Sequence, residues 1–237
     1  ANLKCSTTDI INYWLGNSKY NDVLDRLHND YLPLFVYHFT AILFHISHLY
    51  KYKGYAAPRT IVFSGNGSRY IDNFITDDPK VVEEIVTAIF SDVYGSIERI
   101  HVLLPKTRKE STCYGGLYRS KSLEDIIPTH YQGVDKEYEN VGEMNSDKSM
   151  KDMLMRRYES MNNLYGKILD ILKRKDIIDN EVDIEQFKSV SSAGYDENFT
   201  THYRSKVKEK YADSDIFNDS VFFIPVIDKI FELTKLA

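Results

Sequence analysis

The sequence predicts an α/β domain over residues 1–128, a polar linker or loop over 129–149 and a mostly helical extension over 150–237. Three observations carry this. Two apolar runs of strand character, 59–64 and 97–104, alternate with stretches of helical period; glycine or proline marks the junctions; and beyond Pro128 strand signals stop while an apolar period of three to four residues resumes. The chain has 237 residues, 43% of them hydrophobic and 27% charged, which suits one domain with a sizeable extension.

In chain order, Ser6-Thr7-Thr8-Asp9 can cap a short helix through Tyr13-Trp14-Leu15 that Gly16-Asn17 ends. Residues 22–53 then read as helix, because Leu32, Phe35, Phe39, Ile42, Ile46 and Leu49 recur at three and four residues. Pro33 fits a first helical turn better than a helix middle, so one long helix or two joined near Pro33 are both open. Gly54 ends the element and Pro58 leads into the strand 59–64. After the turn Gly65-Asn66-Gly67, a short helix spans about 68–74. Asp77-Asp78-Pro79 starts the next helix, about 80–94, with Val82, Ile85, Val86 and Ile89 on one side and Gly95 at its end. A second strand, 97–104, closes at Pro105. A basic turn of Lys106, Arg108 and Lys109 follows, then a helix over 110–120 whose Gly115-Gly116 pair allows close backbone approach.

Residues 131–149 are polar and acidic with little periodicity, which marks the linker. Met153, Leu154, Tyr158, Met161, Leu164, Ile168 and Leu172 place a strong amphipathic helix at 150–175. Residues 182–190, 198–210 and 217–233 also read as helical, the last broken or started at Pro225.

Composition narrows the function. A formal charge of −5 argues against a general nucleic-acid binder, which needs a concentrated basic surface. Cys5 and Cys113 lie far apart with no metal-type spacing, and the amino terminus lacks a signal-peptide core. The apolar run 31–50 contains Pro33, Thr40, Ser47 and three histidines, so it reads as a buried helix in preference to a membrane span. A cytoplasmic protein is expected. His38, His45 and His48 could approach one helix face, but no His-Glu-x-x-His pattern accompanies them, and aromatic packing is the favoured role. Asp72, Asp77 and Asp78 read as cap and turn acids.

The turn at 65–69 is the candidate site. A dinucleotide fingerprint would need a third glycine where Tyr70 stands, and its ribose acid would fall near Glu83 or Glu84 inside a helix. No Gly-Lys-Ser/Thr ends a phosphate loop. A plain strand–turn–helix junction is the alternative that the residues alone leave open.

The order of landmarks resembles the carboxyl-terminal lobe of the actin-like ATPases, the superfamily of actin, the seventy-kilodalton heat-shock chaperones and the sugar and acetate kinases. In that family a long helix precedes a strand ending in Gly-Gly-Ser-x-Arg. Here the helix through residue 53 and the strand 60–63 lead to Gly65-Asn66-Gly67-Ser68-Arg69. Ile89-Phe90-Ser91-Asp92-Val93-Tyr94-Gly95 stands where the chaperones have a Phe-Phe-Asn-Gly turn. Glu110-Ser111-Thr112-Cys113-Tyr114-Gly115-Gly116 stands where they have Glu-Ala-Val-Ala-Tyr-Gly-Ala. The resemblance covers about residues 20–120.

It implies a partial actin-like (ribonuclease-H-like) lobe that holds half an adenine-nucleotide cleft. Gly65 and Gly67 would let the backbone turn beside the adenosine and α-phosphate. Asn66 departs from the family's small residue and would alter how the base is held. Ser68 would cap the next helix, and Arg69 would lay its guanidinium over adenine. Lys19, Asp22 and Arg26, spaced to share a helix face, fall in the segment that supplies the opposite wall. ATP or ADP with magnesium is expected only for a full-length protein, because both phosphate loops of the family are absent. The expected partner is therefore the missing amino-terminal lobe of the same protein. A non-catalytic module whose helical extension binds a protein partner is the competing class.

Overall fold

The structure, a computed structural model, describes residues 21–105, 147–195 and 220–236. The expected short helix near residue 14, Lys19, the helix at 110–120, most of the linker, the helix at 198–210 and both cysteines lie outside the described residues.

Helix α1 spans Asn21–Tyr52 without interruption, with Pro33 inside it. Pro33 stands roughly three turns in and not in a first turn, so the one-helix alternative holds. The missing proline N–H costs the helix one bond. Burial of Leu32, Val36, Phe39 and Leu43 on the same helix offsets that cost. Helix continuity is reinforced where the Tyr165 hydroxyl donates to the Pro33 carbonyl at 3.1 Å.

Strand β1, Thr60–Val62, pairs in parallel with β2, His101–Leu103, with Ile61 opposite Val102. Parallel pairing requires a crossover, and residues 66–94 supply it. A 3-10 turn, Asn66–Ser68, leads into α2, Arg69–Phe74, and then α3, Pro79–Tyr94. Asp78 caps α3 by accepting from the Lys80 N–H at 2.8 Å, with Pro79 in the first turn. At the far end Gly95, at φ 83°, leaves the helix in a conformation that side chains resist. There Lys51 of α1 donates to the Val93 carbonyl at 2.6 Å.

Both strands are shorter than the apolar runs suggest, and α3 holds the outer edge of β2. The Ile100 N–H donates to Thr87 Oγ1 at 3.0 Å, and the Val102 N–H donates to Glu83 Oε1 at 3.1 Å. Arg99 Nε lies 2.9 Å from the other Glu83 oxygen, and His101 Nδ1 lies 3.4 Å from the first. The Val102 N–H above all holds the Glu83 carboxyl below its ordinary range; burial opposes it, and Arg99 and His101 add to the lowering.

Helices α4, Asp147–Arg174, α5, Ile184–Ser192, and α6, Ser220–Leu233, complete the described chain. Helix α4 packs on α1 and α3, and α6 on α1 and α5, so their apolar stripes enter the same core as the α/β segment. Tyrosines fill its centre. Tyr37 meets Tyr165 edge-on at 5.1 Å between centroids, and Tyr158 stacks on Tyr195 at 4.6 Å. The Tyr37 and Tyr195 hydroxyls share a 2.5 Å hydrogen bond, and Tyr158 donates to the Phe222 carbonyl at 3.1 Å. Burial pushes the Tyr37 hydroxyl well above its ordinary pKa.

Residues 30–52 are long and apolar enough to cross a membrane by length and composition, and 67% of that window is buried in the fold. The three histidines of α1 sit among rings. His45 stacks on Phe222 at 5.2 Å, His48 meets Phe44 edge-on at 4.5 Å, and His38 lies 6.2 Å from Tyr70. Burial, then the nearby Arg157, His45 and Lys51 charges, hold His48 neutral with its pKa lowered to about 3.

Candidate functional site

The turn after β1 begins at Gly65, whose φ of 81° is open to glycine and strained for other side chains. The Ser68 N–H returns to the Gly65 carbonyl at 3.2 Å, and the Ser68 hydroxyl donates to the same oxygen at 2.8 Å. Ser68 is buried and closes the turn on itself; its hydroxyl makes no cap bond to α2. The capping role expected of Ser68 is thus replaced by a bond backwards, because the 3-10 geometry brings the Gly65 carbonyl under the hydroxyl. No atom lies within 4 Å of where a Cβ on Gly65 or Gly67 would be, so conformation, not crowding, explains Gly65.

Tyr70 turns inward and packs against Phe35, Phe39 and His38. Phe74 stacks on Phe35 at 4.3 Å, and Ile71 is fully buried. These three side chains fix α2 on α1. The opposite face of α2 carries Arg69, Asp72 and Asn73, spaced at three and four residues.

That face lines a cleft of about 570 Å³. Its other walls are Asp77 and Pro79 at the start of α3, and residues 102–105 where β2 ends. It stands at the carboxyl ends of the parallel strands, the side of an α/β sheet where ligands bind. Leu103, Pro105 and Pro79 give apolar walls, and Arg69, Asn73 and the two carboxylates give convergent polar groups. Among the described residues, α4, α5 and α6 contribute nothing to its lining.

Of the turn residues read as a site, Arg69 alone lines the cleft; Gly65, Gly67 and Ser68 form the bend that delivers it, and Asn66 lies within the 3-10 turn. Asp22 and Arg26 belong to the first turns of α1. Phe35, where α2 touches α1, is roughly 20 and 13 Å farther along the axis at 1.5 Å per residue. Lys19 lies outside the described residues. Asp72, Asn73 and Asp77 are the lining groups that motif reading passed over, although the Arg69, Asp72, Asn73 spacing signals a shared face. No three His, Cys, Asp or Glu side chains converge as a metal site among the described residues. Comparison with protein-family models, with curated proteins and with solved structures gives no match.

Proposed function

We propose that this chain is the adenine-nucleotide-binding half of an actin-like ATPase domain, belonging to a longer cytoplasmic protein and not competent for hydrolysis alone. The observation that carries the reading is the bend at Gly65. It takes the chain from the carboxyl end of β1 directly into Arg69, and Arg69 faces an open cleft beside the end of β2. The helix–strand–turn–helix–strand order agrees with the resemblance in the sequence. Arg69 would lie over the adenine ring, with Leu103, Pro105 and Pro79 as the apolar side of the slot. The carboxylates of Asp72 and Asp77 can accept from the base amine or the ribose hydroxyls, and they disfavour a phosphate in the same place. Phosphates and magnesium therefore belong toward the missing lobe, whose Asp-x-Gly-Thr and Asp-x-Gly-Gly/Ser loops this sequence does not contain. Nucleic acid and membrane have no part in this function.

Isothermal titration with ATP and ADP, with and without magnesium, tests the proposal. Binding between micromolar and millimolar, weakened roughly tenfold by Arg69→Ala, is expected. Absence of heat and of chemical-shift change at millimolar nucleotide overturns it for this chain.

A non-catalytic interaction module is the second reading. It is favoured by Ile227 and Phe231, one turn apart on α6 and 51% and 65% exposed. It expects nucleotide to leave the spectrum of the chain unchanged.

A further inference from the structure

We propose that a second copy of this chain docks on the free edge of β1, joining two sheets edge to edge. The two edges of the sheet differ. Backbone groups alternate along a strand, and β1 bonds β2 through the Arg59 carbonyl and Phe63 N–H, at 3.0 and 3.1 Å, and through Ile61 between them. The N–H and C=O groups of Thr60 and Val62 therefore point to the opposite edge. They have no hydrogen-bond partner among the described residues, and both residues are exposed. On β2 the corresponding outward N–H groups, of Ile100 and Val102, are already held by Thr87 and Glu83 of α3.

An open strand edge is a template for another strand. With one edge closed by side chains and one open, the pairing is isologous and stops at two copies, where two open edges would give a fibre. The strand is self-complementary. An antiparallel register with Val62 opposite its counterpart sets Thr60 opposite Ser64 and Arg59 opposite Gly65, so no like charges meet. Val62 and Leu103, neighbours in register and each 53% exposed, would join their counterparts in one apolar strip across the pair. Parallel strands ordinarily have both faces covered, which this pair alone lacks. The contact lies beside the strands and leaves the cleft at their carboxyl ends open, so it stands independently of the nucleotide proposal.

Sedimentation equilibrium over a range of protein concentrations, with hydrogen exchange of the Val62 amide, tests it on the whole chain. A monomer–dimer equilibrium is expected, with Val62 protection rising as dimer forms. Val62→Pro removes an N–H that bonds nothing among the described residues, and edge strands tolerate proline. It should weaken dimerisation roughly ten- to hundredfold, the worth of the central pair of backbone hydrogen bonds, with the circular dichroism spectrum unchanged. Val62→Lys, which sets like charges together at the two-fold, should also give monomer. A wild-type chain that stays monomeric at every concentration overturns the proposal. So does a dimer that survives both substitutions. Monomer with a protected Val62 amide would assign the edge to a strand of the chain outside the described residues, which is equally fatal to it.

Discussion

The tyrosine core between α1, α4 and α6 and the sheet end around Arg69 are built on opposite terms. In the core, the Tyr37, Tyr158, Tyr165 and Tyr195 hydroxyls are all paired, and these rings are at most 4% exposed. At the sheet end, short strands leave an open edge, Val62 and Leu103 face solvent, and a charged side chain lies beside a cleft. Stability and the proposed binding therefore fall to different parts, so substitutions should separate them.

The strongest separation comes from emptying the core. Phe44 is fully buried against Phe222 and His48. Phe44→Ala should cost about 3–5 kcal/mol in denaturant unfolding and unfold much of the population. Tyr195→Phe is milder. It removes the partner of the buried Tyr37 hydroxyl and should cost about 1–3 kcal/mol; a neutral result would mean that Tyr37 finds another partner.

Glu83 sits on the boundary between the two regions. Its folded pKa is depressed, so its contribution is present above the ordinary carboxylate range and is lost as pH falls through the lowered value. Unfolding midpoints measured from neutral pH downward should fall in that window, and Glu83→Gln should flatten part of the slope. At neutral pH the same substitution should cost about 0.5–1 kcal/mol, since Arg99 is half exposed. Smallest of all, Arg69→Ala should change stability by less than about 0.5 kcal/mol while weakening nucleotide roughly tenfold. A large loss of stability would mean that Arg69 is a structural residue.

Helical periodicity made much of the fold legible. The apolar positions of α1 and α4 and the Asp78-Pro79 start of α3 were readable because burial and capping leave local signatures. Pro33 was not, because local propensity cannot see Tyr165 and the burial that keep the helix whole. The strand lengths were hidden for a similar reason. An apolar run announces a strand but not how far its neighbour will pair with it, and here only Thr60–Val62 and His101–Leu103 do. At the site, the glycine bend and Arg69 were visible as a motif. The Asp77, Leu103 and Pro105 walls were not, since only the crossover through α3 brings residues 102–105 beside α2.

The Tyr37–Tyr195 hydrogen bond joins positions 158 residues apart. A nascent chain emerging from the ribosome can form α1 early, yet the groove that receives its tyrosine face stays unfinished until the last third of the sequence is made. Closing a loop of that length before any reward is slow. Until then the Tyr37 face of α1 lacks its partner, while α2 and α3, made soon after it, can already pack on the same helix.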